Sequence, residues 1–225
     1  MASNLLIFDM DGVLVDVSKS YRLAIKETAE FFSKDTLSFK EIQGMKNIGG
    51  YNNDWDLTEG LLLARGISIS KSQIISKFQE LYLGNNFDGY IKNEEWLLKM
   101  EILNRLSNGY NLAIVTGRPK REAEHAISTF KVRRHFRHIV TMDDVPSDKQ
   151  KPNPFGLKGV LEAFKVDNAI YFGDTIDDMR MALSAGLRPI GVIPPGQDGN
   201  LKEILLESGA ETVLDDINKV EEVLK

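Results

Sequence analysis

The first unbroken apolar run is Leu5 to Phe8, and polar positions follow at once with Asp9, Asp11 and Gly12. A short apolar run bounded by a turn signal predicts a strand buried on both faces, as in a parallel sheet. Beyond it the period changes. Tyr21, Ala24, Ile25, Thr28, Phe31 and Phe32 recur at helical spacing within residues 18–33, with Ser18 the expected cap and both phenylalanines expected in the core. Residues 57–64 predict a short helix stopped at Gly66. Ile74, Ile75, Phe78, Leu81 and Tyr82 mark another, capped by Ser70 or Ser72 and ended by residues 83–89. No strand stands out between residues 17 and 90.

From residue 94 onward the rhythm alternates. Helices are expected at 94–107, 119–130, 154–164, 177–184, from Asn200, and at the C-terminus. Between them fall strand patterns at 111–115, 138–141, 169–172, 189–193 and 212–214. Strands alternating with helices of this size predict βαβ units and a parallel sheet. The expected class is therefore α/β. Its core would comprise residues 1–16 and 91–225, interrupted just after the first strand by an α-helical unit of residues 17–90.

Composition acts mainly by exclusion. With 225 residues, 42% hydrophobic and 27% charged, the chain can bury one large core or a core with a smaller insertion. Its net charge of -5 has both signs interspersed and no basic stripe, so no nucleic acid partner is expected. With 0 Cys, disulfides, thiolate nucleophiles and cysteine-based zinc sites are excluded. No apolar stretch approaches the ~18 residues of a membrane span, and the N-terminal run reads as a core strand rather than a signal peptide. No membrane association is expected, a cytoplasmic location is, and the chain is read as a monomer or homodimer.

Candidate chemistry collects at the ends of the predicted strands. Asp9 and Asp11 follow the first, Thr116 the second, and Asp174 a later one, with Asp177 and Asp178 just beyond. Open α/β sheets place their ligands at such strand ends. Lys151 precedes Pro152-Asn153-Pro154, where two prolines stiffen the approach to a helix. Crowded carboxylates repel one another, a divalent cation resolves the repulsion, and an oxygen-only donor set suits Mg²⁺. A metal, a phosphate and a carboxylate nucleophile would together support phosphoryl transfer to Asp. Asp-x-Asp-Gly alone reads equally well as a solvated acidic turn.

Taken together, these segments resemble the haloacid dehalogenase superfamily. Asp9-Met10-Asp11-Gly12-Val13 is similar to its first motif, Thr116 to its second, Lys151 to its third, and Gly173-Asp174-Thr175-Ile176-Asp177-Asp178 to its fourth. The motifs stand in family order and span nearly the whole chain. The resemblance implies a doubly wound, Rossmann-like parallel sheet whose first strand is central, with the helical insertion as a small cap domain. It further implies that Asp9 is the nucleophile and Asp11 the general acid/base. Asp9, Asp174, Asp178 and the backbone carbonyl of Asp11 would hold Mg²⁺, and Thr116 and Lys151 would hold phosphoryl oxygens. Burial or a like charge is expected to keep Asp11 protonated at first. Gly12, Gly117 and Arg118 are expected beside the substrate, although Arg118 reads equally as the partner of a surface acid. Asp177 reads as a helix-dipole partner or a ligand.

Tyr51-Asn52-Asn53-Asp54-Trp55-Asp56 has two readings: Asp54 or Asp56 caps the helix at Leu57, or Asp54, Trp55 and Asp56 contact the leaving group. On the second reading the acids and the ring favour a polar leaving group carrying an amine, as in histidinol phosphate, with a neutral sugar phosphate next. His125, His135 and His138 lack metal-ligand spacing and are expected at the surface.

The expected function is Mg²⁺-dependent hydrolysis of a small phosphorylated metabolite through an aspartyl-phosphate. A phosphomutase of the same superfamily is the alternative. Sugar phosphomutases there carry Thr-x-x-x-His after motif one, and this chain has Val17 and Tyr21 instead. A non-catalytic phospho-receiver would present its acid pair early and its phosphorylated Asp later, the reverse of the order here.

Overall fold

A computed structural model describes residues 5–197 and 200–224. The chain folds into two compact units. One comprises residues 1–16 and 96–225, the other residues 17–95. The second boundary falls at Glu95/Trp96 rather than at 90/91, because residues 90–94 belong to the helical unit. There the Tyr90 hydroxyl donates to Glu27, and Glu94 accepts from Ser20 and Tyr82.

The first unit is built on β1 (Leu5–Phe8). Short strands β2 (Val15–Asp16) and β3 (Glu95–Trp96) form a separate two-stranded sheet where the chain passes between units. Helix α5 (Met100–Gly109) leads into β4 (Asn111–Val115), then α6 (Lys120–Thr129) and β5 (His138–Val140). Next come α7 (Phe155–Phe164), β6 (Ile170–Gly173), α8 (Ile176–Ser184), β7 (Arg188–Val192), α9 (Asn200–Glu207) and β8 (Thr212–Leu214). The main sheet runs β5-β4-β1-β6-β7-β8, and every pairing is parallel.

The order explains why β1 is unbroken in its hydrophobicity. It pairs with β4 in the register Leu5–Asn111 to Phe8–Ile114, and with β6 in the register Leu6–Ile170 to Phe8–Phe172. Its side chains are buried on both faces. Leu5 and Ile7 join Val115, Leu157, Val160 and Tyr171 in one cluster, while Phe8 stacks on Phe172 at 4.8 Å and meets Phe136 edge-on at 6.4 Å. The chain runs outward from β1 through β4 to β5, then restarts on the other side at β6. Such a reversal opens a crevice at the carboxyl ends of the strands. Asp9, Thr116 and Asp174 follow the three adjacent strands that bound it.

The helical unit contains α1 (Tyr21–Ser33), α2 (Phe39–Lys46), α3 (Asp54–Leu63) and α4 (Lys71–Tyr82). Its core gathers Ala24, Ile25, Leu57, Leu61, Ile74 and Phe78, with Tyr21 stacked on Tyr82 at 4.1 Å. Its ends are tied to each other. Ser20 Oγ donates to Glu94 at 2.9 Å, and Asn93 Nδ2 donates to the Lys19 carbonyl at 3.3 Å.

Several local expectations are corrected. Helix α1 starts at Tyr21, and the residue at its N-cap is Ser20 rather than Ser18. Helix α2 lies in a stretch without clear period, yet Ser38 and Glu41 form a reciprocal capping box. Helix α5 begins at Met100 rather than 94, since residues 95–96 are extended in β3. Phe31 is 47% exposed, and Lys34 and Lys77 each lie 4.6 Å from its ring centre. The C-terminal helix is a 3₁₀ run, Ile217–Val223.

Candidate active site

Asp9 continues β1, and its N–H donates to the Phe172 carbonyl at 2.8 Å, so ladder geometry holds its backbone. Gly12 then turns the chain at φ +74. A Cβ there would stand 2.8 Å from Asp174 Cγ and 2.9 Å from Pro194 Cγ, so the close approach of the two loops requires glycine. Thr116 is buried after β4; its N–H donates to Val140 at 2.9 Å and its Oγ1 accepts from the Arg118 N–H at 3.1 Å. With that lone pair engaged, the hydroxyl proton is left to donate. Gly117 lies between these two residues.

Lys151 reaches across the site. Its Nζ lies 2.9 Å from Asp9 Oδ1 and 2.8 Å from Asp178 Oδ1, and its side chain is only 5% exposed. Burial works against the ammonium, but Asp178 and Asp9 outweigh it and hold the lysine above its usual range. Asp178 is fully buried at the start of α8. Lys151 and the Tyr171 hydroxyl donate to its Oδ1, each at 2.8 Å. Its Oδ2 accepts from Thr175 Oγ1 at 2.7 Å and from the N–H groups of Thr175 and Asp174 at 3.1 and 3.3 Å. Burial raises its pKa, yet Lys151, Thr175 and Tyr171 together bring it below the ordinary carboxylate value. Both oxygens are thus occupied, and the reciprocal Thr175–Asp178 capping box locks the turn that carries Asp174.

Asp9 is the opposite case. Its Oδ1 is buried and takes no well-aligned hydrogen bond despite the ion pair with Lys151. Burial pushes its pKa up to about 7; Lys151 opposes this, while Asp178 and Asp11 add to it. Asp9, Asp174 and Asp178 each offer an oxygen, and these oxygens all lie within 4.8 Å of one another. An all-oxygen cluster in which one ammonium is shared between two buried carboxylates fits a hard divalent cation such as Mg²⁺.

Asp11 stands between two charges. The like charge of Asp9 acts on it as expected, and its Oδ1 also accepts from Arg118 Nε at 2.5 Å, an opposite charge not expected from sequence. Arg118 itself is buried, not at the surface. Asp177 is also buried, on the first turn of α8.

In the helical unit the cap of α3 is Asn53, whose side chain accepts from Trp55 N at 2.9 Å; Asp54 and Asp56 follow in the first turn and do not cap it. Asp54 is paired with Lys46 at 2.9 Å and Asp56 with Lys71. The two acids therefore carry their own counter-charges. His135, expected at the surface, is buried, with Nδ1 3.0 Å from Ser107 Oγ and Nε2 accepting from Arg134 Nε at 3.2 Å.

Two supporting groups have no role assigned from sequence. Tyr171 reads there as one more apolar strand residue, and nothing in the pattern marks its hydroxyl. Thr175 does carry a signal, because Thr-x-x-Asp before a helix is a capping signature.

The sequence pattern of the haloacid dehalogenase-like hydrolases matches residues 6–192, and the chain belongs to this family. Among curated proteins it is 33% identical over 199 residues to an imidazoleglycerol-phosphate dehydratase of Phytophthora nicotianae, covering 84% of this chain but only 43% of that protein. It is 29% identical to a phosphorylated carbohydrates phosphatase of Thermotoga maritima, covering 97% and 95% of the two chains. Its fold is similar to the crystal structure of a predicted phosphoglycolate phosphatase from Haemophilus somnus, with a TM-score of 0.76, 20% identity, and coverage of 99% and 98%. No described helix is long and apolar enough to cross a membrane.

Proposed function

We propose that the chain is a Mg²⁺-dependent phosphatase acting on a small phosphorylated metabolite. The carrying observation is Asp9, a buried carboxylate paired with Lys151 and lying within one oxygen cluster with Asp174 and Asp178. Asp9 attacks phosphorus, the bond to the leaving oxygen breaks, and Asp11 supplies that oxygen with a proton. Water then attacks the aspartyl-phosphate while Asp11 takes its proton. Thr116 and Lys151 hold phosphoryl oxygens, and Lys151 offsets charge developing there. Asp9, Asp174 and the Asp11 carbonyl would hold the metal, with Asp178 contributing directly or through water. Bound Mg²⁺ supplies positive charge to the carboxylates and the phosphoryl group.

The relatives' names refer to imidazoleglycerol phosphate, phosphorylated carbohydrates and phosphoglycolate. Asp54 and Asp56 each pair with a lysine, which supports a hydroxyl-rich sugar phosphate over a cationic leaving group. The deciding assay is a panel of sugar phosphates, amino-alcohol phosphates and phosphoglycolate, run with Mg²⁺ and with EDTA. Turnover should require Mg²⁺ and vanish in Asp9→Asn; a folded variant within tenfold of wild type would sink the assignment.

A further inference from the structure

Arg118 belongs to none of the four motifs, yet its side chain is 0% exposed, and its Nε donates to Asp11 Oδ1 at 2.5 Å. A buried guanidinium persists only where opposite charge and hydrogen bonds offset its desolvation. Its backbone is fixed on both sides. The N–H donates to Thr116 Oγ1 at 3.1 Å, and the carbonyl accepts from Met142 N at 2.9 Å. The main chain around Asp11 is also held: Leu14 and Val15 N–H both donate to Met10 O at 2.8 Å, and Gly12 N donates to Val15 O at 2.9 Å. The bond from Nε restrains rotation of the Asp11 side chain on this fixed backbone.

We propose that Arg118 is a positioning residue for Asp11. By holding the carboxyl group in one orientation it sets the direction from which Asp11 gives its proton to the leaving oxygen in the first half-reaction and takes one from water in the second. This rests on the acid/base reading of Asp11.

The test uses the full-length protein with Mg²⁺ and two probes, p-nitrophenyl phosphate, whose leaving group hardly needs a proton, and β-glycerophosphate, whose leaving group does. Wild type, Arg118→Gln, Arg118→Lys, Asp11→Asn and Asp11→Asn/Arg118→Gln are compared. General acid/base assistance is worth ~10²–10⁴-fold, so Arg118→Gln should lower kcat on β-glycerophosphate at least roughly tenfold more than on p-nitrophenyl phosphate, with little change in KM. Arg118→Lys should recover part of that loss. The double variant should be no slower than Asp11→Asn alone, since the two residues act as one unit. Equal losses on both probes, a KM effect without a kcat effect, or losses that multiply in the double variant overturn the proposal. Should Arg118→Gln fail to fold, the same comparisons are read from Arg118→Lys and from the double variant, which removes both members of the pair together. Wild-type protein inactive on both probes and on the metabolite panel would instead overturn the phosphatase reading itself.

Discussion

Nζ of Lys151 stands 2.8 Å from Oδ1 of Asp178, in a pair whose side chains are 5% and 0% exposed. The same ammonium faces Asp9 at 2.9 Å, so one cation serves two buried carboxylates. Removing one partner from a buried ion pair typically costs about 3–5 kcal/mol. Metal-free Lys151→Met should lose stability of this order in urea unfolding, with added Mg²⁺ restoring part of it. A loss below ~1 kcal/mol would show that the carboxylates adapt without the lysine.

Gly12→Ala should disturb Asp174 directly. The added methyl meets the Asp174 carboxylate carbon at 2.8 Å, and a left-handed φ costs a non-glycine residue about 1–2 kcal/mol. Mg²⁺ affinity, measured by calorimetric titration, should fall at least several-fold. Unchanged affinity would mean that the loop yields without moving the carboxylate.

His135 makes stability depend on pH in a defined direction. Burial, reinforced by the Arg134 charge, lowers its pKa below the ordinary 6.5. Arg134 donates to Nε2, so the ring is neutral with its proton on Nδ1, directed at Ser107. A depressed folded-state pKa gives stability that is complete above the unfolded value and declines as pH falls through the folded one. Thermal melts should therefore show a drop below pH ~6.5 that His135→Gln flattens. Parallel curves for the two proteins would exclude His135 as the source.

Asn53 and Asp56 should separate capping from recognition. Asn53→Ala removes the side-chain acceptor for Trp55 N and should lower stability by about 1 kcal/mol. Asp56→Asn, at an exposed ion pair with Lys71, should change stability by less than about 1 kcal/mol. Any loss of kcat/KM in folded Asp56→Asn on the best substrate then reports on selectivity. If Asn53→Ala is silent in denaturation, the cap is not holding α3.

The core was legible because its signals are local. Buried parallel strands read as apolar runs, and Leu5–Phe8, Asn111–Val115 and Ile170–Gly173 sit where the pattern places them. The meeting of Asp9, Asp174 and Lys151 was reached through the family resemblance and strand order. The environment of each group was not legible. The burial of Arg118 against Asp11, and the Tyr171 hydroxyl between Lys151 and Asp178, depend on tertiary neighbours that periodicity does not encode. The same holds for His135 and Phe31, where helix-spaced or scattered residues lie on the opposite side of the solvent boundary from the one their pattern suggests.

The helical unit leaves the core after Asp16 and returns at Trp96, and Ser20–Glu94 and Asn93–Lys19 hydrogen bonds fasten its two ends together. A segment whose exit is clasped to its entrance is, in effect, a cassette. It can be lengthened, shortened or exchanged without asking the host sheet to span a new gap. Variation can thus accumulate in residues 17–95 while the strands that carry Asp9, Thr116 and Asp174 keep their register.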